Sequence, residues 1–163
     1  MEKEFLEIVQ KNQGIIHKVC NMYGDTLDDR NDLFQEIMAQ LWKAFPTFRS
    51  DSKISTWMYR VALNTAITSF KKQKRRPDTS SLTYENFQLP EDGSDSGTEE
   101  DIRQLHSAVG QLTGIEKSIV LLYFENKKYE EIAEITGITQ NYVRVKMNRI
   151  KKKLRELMQK GEE

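Results

Sequence analysis

Apolar side chains recur every third or fourth position in several separate stretches, and no stretch shows the two-residue alternation of a strand. The first stretch, about Lys3–Tyr23, carries Phe5, Ile8, Ile15, Ile16 and Val19 and stops at Gly24 and Asp25. A second helix is expected from near Asp28 to just before Pro46, with Leu33, Phe34, Ile37, Met38, Leu41, Trp42 and Phe45 forming a wide buried stripe. Asp28, Asp29 and Asp32 lie in its first turns, where the helix dipole favours acids. Gln35, Glu36, Gln40 and Lys43 occupy its other face. A short loop then leads to a third helix ending near Arg76, with Ser52 or Ser55 as its cap and Ile54, Met58, Val61, Ala62 and Thr65 on one face.

Helical period is absent from residues 77–98, which are rich in Pro, Gly, Ser and Asp. Such a stretch buries too little apolar surface to offset its ordering entropy, so it reads as a flexible linker. Period returns near Glu99. A helix to about Gln111 carries Ile102, Leu105 and Val109, and Leu112 follows it. Thr113 and Glu116 have the spacing of a capping box ahead of Ile115, Ile119, Leu122 and Tyr123. A helix over about Tyr129–Thr136 and another from Thr139 to about Lys160 complete the pattern. The expected fold class is all-α: two small helical domains, 1–76 and 99–163, joined by an acidic linker, 77–98, with a helix-turn-helix in the second.

Charge changes the picture. With 25 basic and 25 acidic residues the net charge is zero, which argues against a nucleic-acid binder. The distribution argues the reverse: residues 1–76 hold 13 Lys and Arg against 9 Asp and Glu, residues 77–101 hold none against 8, and residues 102–163 hold 12 against 8. Two basic blocks flank one acidic block. Cys20 is the sole cysteine and reads as a small core residue; no internal disulfide is possible. No secretion signal and no apolar run of ~18 residues is present, so a cytoplasmic protein without membrane insertion is expected. His17 and His106 stand apart from any acid–base or ligand cluster, and no phosphate loop or nucleophile motif occurs. No enzyme activity, cofactor or metal is expected.

The helix-turn-helix spans Tyr129–Leu154. Ala133 is small where two helices must approach closely, Gly137 supplies the turn, and Ile138 fills the space beneath it. In the last helix Val143, Met147, Ile150 and Leu154 make the buried stripe. The opposite face holds Asn141, Arg144, Val145, Asn148 and Lys152, flanked by Gln140, Arg149 and Lys151. Arg, Asn and Gln suit base edges, while Lys and Arg neutralise phosphates. Candidate duplex-binding residues are Gln140, Asn141, Arg144, Asn148, Arg149 and Lys152.

The third helix carries a second stripe: Trp57, Arg60, Asn64, Thr68, Lys71 and Arg75, at steps of three or four. Rings that stack on bases beside cations that track phosphates are what a single strand needs. The alternative is a Trp57 in the core with solvated cations beside it.

Three groups of residues resemble one family. Asp32, Leu33, Phe34, Gln35 and Glu36 resemble a D-L-x-Q-E helix. Phe48 followed by Ser55–Asn64 (STWMYRVALN) resembles an F…tWLyrIArN stretch. Leu112 and Thr113, then Tyr129–Ala133 (YEEIA), Gly137, Thr139, Val143 and Arg149 resemble a second DNA-binding region. Together they are similar to the extracytoplasmic-function (ECF) group of bacterial RNA polymerase sigma factors over nearly the whole chain.

The resemblance implies roles by position. The helix about Asp32–Phe45 would dock on the clamp helices of the polymerase's largest subunit, with Asp32, Gln35, Glu36 and Gln40 in contact. Phe48 and Asn64 would hold a base flipped from the −10 element. Trp57, Arg60, Lys71 and Arg75 would assist strand opening. The last helix would read the −35 element as duplex, and the helix at Ile115–Glu125 would face the polymerase flap. An anti-sigma partner is implied in the same way. Leu63 and Thr68 depart from the pattern, where Arg and Asp are common, so contacts from those positions do not carry over. The competing reading is a stand-alone helix-turn-helix regulator, which would bind its operator without polymerase.

Overall fold

The computed structural model describes residues 1–48, 52–74 and 99–160. Every regular element among them is a helix: α1 (Glu2–Lys11), α2 (Gln13–Tyr23), α3 (Leu27–Ala44), a 3₁₀ turn (Phe45–Thr47), α4 (Ile54–Lys74), α5 (Glu99–Gly110), α6 (Gly114–Phe124), α7 (Tyr129–Thr136) and α8 (Gln140–Lys160). The expected linker, 77–98, lies outside the described residues, as does Arg75.

Where one helix was expected over Lys3–Tyr23, two occur. The break is at Asn12, whose side-chain amide donates to the Ile8 carbonyl oxygen (2.9 Å) while its backbone leaves helical geometry (φ −123°, ψ 22°). An Asn side chain offers the backbone a local alternative to the next helical bond. Gly24 closes α2 tightly: a Cβ there would lie 3.0 Å from both the Arg30 backbone nitrogen and the Cys20 carbonyl oxygen. α3 then starts one residue earlier than expected, because Thr26 caps it, Oγ1 accepting from Asp29 N–H (3.0 Å). The Thr113 capping box forms in both directions, Thr113 N–H donating to Glu116 Oε1 (2.8 Å) and Glu116 N–H to Thr113 Oγ1 (3.2 Å).

Leu33, Ile37 and Leu41 of α3 pack on Ile16, Val19 and Cys20 of α2 and on Met58 and Ala62 of α4. The stripe on α3 is narrower than expected: Phe34 and Met38 are half-buried, and Trp42 is 46 % exposed, its ring edge-on to Phe5. α4 is the central element, packing on α2 and α3 on one side and on α6 and α7 on the other. Tyr59, Leu63 and Ala66 are therefore buried along with the single face that periodicity marks. The C-terminal block closes over Leu112, Ile119, Leu122, Ile132, Val143, Met147 and Ile150, and its apolar core is continuous with that of the N-terminal block.

Polar bonds line the seam between the blocks. Tyr23 Oη donates to the Gly114 carbonyl (2.6 Å), Lys18 pairs with Glu125 (2.6 Å), and Arg60 Nη2 donates to the Glu134 carbonyl (3.0 Å). At its centre Lys117 is 1 % exposed, with Nζ 4.4 Å from the Phe70 ring centroid, 5.8 Å from that of Tyr23 and 3.5 Å from the Met22 carbonyl oxygen. A buried ammonium is tolerated when aromatic faces and carbonyl oxygens replace its water. Burial raises the Asp25 carboxyl pKa, and the Lys117 charge works against that rise.

Candidate nucleic-acid interface

α7 and α8 form the expected helix-turn-helix. Gly137 ends α7 with φ +80°, a left-handed conformation that side chains disfavour, and its N–H closes on the Ala133 carbonyl (2.9 Å). Thr139 Oγ1 accepts from Tyr142 N–H (3.1 Å) and caps α8. Val143, Met147 and Ile150 are buried and Leu154 half-buried, as the spacing requires. All six candidate readers, Gln140, Asn141, Arg144, Asn148, Arg149 and Lys152, are exposed.

At about 100° per residue, Asn141, Val145 and Lys152 lie farthest from the packed stripe, with Asn148 and Arg149 beside them and Arg144 on one flank. Two cations sit over rings at this end: Lys146 over exposed Tyr142 (5.7 Å) and Lys151 over Tyr123 (5.1 Å).

The second stripe divides. Trp57 is not presented to solvent: it is 8 % exposed, packed between Phe45 (6.2 Å) and Phe48 (4.9 Å). The 3₁₀ turn after α3 brings those two rings over the first turns of α4, a tertiary contact that spacing along α4 does not register. Arg60 is half-buried and bonded to α7, whereas Asn64, Thr68 and Lys71 are exposed. Thr68 Oγ1 donates to the Asn64 carbonyl (2.9 Å). Phe48 is half-buried on Trp57, and Asn64 stands two turns along α4 from Trp57, about 10 Å away.

Asn64 instead opens onto a groove of about 570 Å³ between α3 and α4, lined also by Asp29, Asp32, Glu36, Gln40 and Lys72. Residues marked for polymerase contact and a residue marked for DNA thus share one concavity. Gln40 Nε2 donates to Glu36 Oε1 (3.2 Å), which holds both at its rim. Gln35 is exposed outside it. Sequence reading missed Lys72: from Asn64 it followed 68, 71 and 75, although 68 and 72 stay on the face toward α3.

Other titratable groups are structural. Burial pushes the Cys20 thiol up to about 11, with Arg30 opposing, so it holds its proton at neutral pH. His17 is exposed and stacked on Phe34 (5.2 Å). His106 is buried, and burial followed by the Lys117 charge lowers its pKa. Among the described residues no group of His, Cys, Asp and Glu is placed to hold a metal, and no helix is long and apolar enough to cross a membrane.

Two family models match the chain: Sigma-70 region 2 over residues 8–76, and Sigma-70 region 4 over residues 102–154. The RNA polymerase sigma factor SigV of Bacillus subtilis (strain 168) is 31 % identical over 140 residues, covering 85 % of this chain and 81 % of that one. The ECF RNA polymerase sigma-E factor of Escherichia coli (strain K12) is 30 % identical over 161 residues, 91 % and 83 % of the two chains. Two solved structures share the fold. CnrH, in complex with the cytosolic domain of CnrY, superposes with a TM-score of 0.68 at 16 % identity, over 98 % of this chain and 90 % of that one. The sigma factor RpoE of Bartonella quintana, in complex with the anti-sigma factor NepR, gives 0.65 at 18 %, over 97 % and 96 %.

Proposed function

Since the chain belongs to the sigma-70 family, in its ECF group, and directs promoter-specific initiation by RNA polymerase, we propose how its surfaces divide that work. A sigma factor is not itself an enzyme; it places the polymerase on DNA. α8 reads the upstream (−35) element as duplex: Gln140, Asn141, Arg144, Asn148 and Arg149 face bases and nearby phosphates, and Lys152, two turns on from Arg144, meets phosphate. The observation that carries this is the exposure of all six, with Asn141, Asn148, Arg149 and Lys152 on the side away from the packed stripe and Arg144 on its flank. Phosphate contacts fix the register and base edges supply the sequence information.

Residues 1–76 take the −10 element as partly melted DNA. Taking a base out of the stack costs a few kcal/mol, and an aromatic ring returns about 1–3 kcal/mol of stacking. Phe48 is the half-buried ring that would stack on the base, Asn64 the exposed amide able to pair with a base edge, and Lys71 the exposed cation two turns on from Asn64. Arg60 joins them once its bond to α7 is given up. Trp57 supports Phe48 from beneath. Asp32, Gln35, Glu36 and Gln40 on α3 dock on the polymerase clamp, and the C-terminal block on the flap. α6 packs against α2 and α4 here, so flap docking requires that packing to open. Residues 77–98 tether the two domains. Because both similar solved structures are complexes, one with an anti-sigma factor, we assign this chain an anti-sigma partner of its own, and a cytoplasmic place of action.

The test is transcription from a promoter library by purified core polymerase, with and without the chain. Specific starts that need both components support the proposal. Promoter binding by the chain alone, with no effect of core polymerase, would mean a stand-alone regulator.

A further inference from the structure

A lone exposed valine on a helix is ordinary and needs no explanation. Val145 differs by its place. It is 36 % exposed on a face otherwise made of Asn, Arg and Lys, with the exposed ring of Tyr142 three residues before it. At about 100° per residue it lies about 170° around α8 from the mean direction of Val143, Met147, Ile150 and Leu154, at the crest of the reading face. Asn141 and Arg149, four residues to either side, are its neighbours on that crest, and Asn148 lies beside it. It is the sixth residue of the helix, within the N-terminal part that enters a major groove in a helix-turn-helix. A β-branched residue is also a weaker helix former than the Lys and Arg around it, so helix stability does not favour it there.

The floor of the major groove offers one apolar group, the C5-methyl of thymine. Polar groups surrounding Val145 can be satisfied by base edges and phosphates; its two methyls can only be desolvated against that group. We propose that Val145 reads a thymine by its methyl within the upstream promoter element, a specificity contact beyond the polar readers. The inference rests on α8 being the duplex reader.

Holoenzyme reconstituted from core polymerase and the full chain would first select an upstream element from duplexes randomised there. Each thymine of the selected element is then replaced by deoxyuridine, which removes the methyl and leaves the hydrogen-bonding edge intact. One such replacement should weaken wild-type binding about fourfold, the worth of one buried methyl. Val145→Ser should bind the thymine duplex about fourfold more weakly and be insensitive to that same replacement. Val145→Thr, which keeps one methyl, should recover part of the difference. Equal sensitivity of wild type and Val145→Ser at every thymine would overturn the inference. So would an element without thymine, or an unchanged element selected by Val145→Ser. Selection of no upstream element at all would overturn the duplex-reading role of α8 itself, a separable failure.

Discussion

The outer face of α8 and the second stripe of α4 are both basic helix surfaces, yet the fold treats them differently. On α8 every candidate reader is exposed. On α4 the first member of the stripe, Trp57, is core, the second, Arg60, is tied to the Glu134 carbonyl, and only from Asn64 onward is the helix open. The difference follows from position. α8 is the last helix of its bundle and packs on one side only. α4 is central and packs on both. On the proposed reading, the C-terminal block meets duplex DNA as it stands, whereas the N-terminal block exposes its full surface only when the blocks part.

The largest effect should come from Trp57. As a core ring, it makes Trp57→Ala cost about 3–5 kcal/mol of stability, read from urea unfolding. A variant with normal stability and defective promoter opening would instead return Trp57 to the DNA surface and make the two helices alike.

Next is the seam. Lys117→Glu sets a carboxylate against the Phe70 and Tyr23 ring faces and the Met22 carbonyl. It should destabilise the closed arrangement by about 2–4 kcal/mol. The radius of gyration from X-ray scattering should rise while far-ultraviolet helicity is kept. An unchanged radius would show that the open and closed surfaces are not separated by this contact.

Smaller effects sharpen the α8 side. Arg144→Ala should cost about 1–3 kcal/mol at one position of the upstream element and relax its sequence preference there. Lys152→Ala should weaken all sequences alike and lower the salt slope by about 1. Identical sequence profiles for the two variants would show that α8 is not placed as proposed.

The smallest effect is at Glu116, which anchors the base of the C-terminal block. Burial raises its carboxyl pKa, but the Thr113 N–H bond and Lys153, 3.2 Å away, outweigh burial and leave it lowered. A carboxylate with a lowered folded pKa contributes stability above its unfolded pKa and loses it as pH falls through the folded one. Glu116→Gln keeps the capping bond but loses the charge facing Lys153 and the helix N-terminus, and should cost about 0.3–1 kcal/mol near neutral pH. The difference from wild type should shrink below the ordinary carboxylate range, as chemical unfolding at several pH values would show.

Local rules made much of this legible in the chain. The Thr113 box, the Gly137 turn, the Thr139 cap and the 143, 147, 150, 154 stripe need only neighbours within a few residues, so the helix-turn-helix and its exposed readers follow from spacing. Asn12 was missed because its side chain competes with helix formation at one bond, too small a signal to interrupt the apolar period around it. Beyond that, the sequence by itself determined which residues form helices and which face of an end helix stays polar, because helical period and capping are short-range. Only the tertiary structure decided what lies against α4: that Trp57 goes under Phe48, that Asn64 shares a groove with the acids of α3, and that Lys117 is buried between rings. Those outcomes depend on contacts between residues up to about a hundred positions apart, such as Tyr23 with Gly114 and Lys18 with Glu125, and no period along one helix encodes which distant face will arrive to cover it.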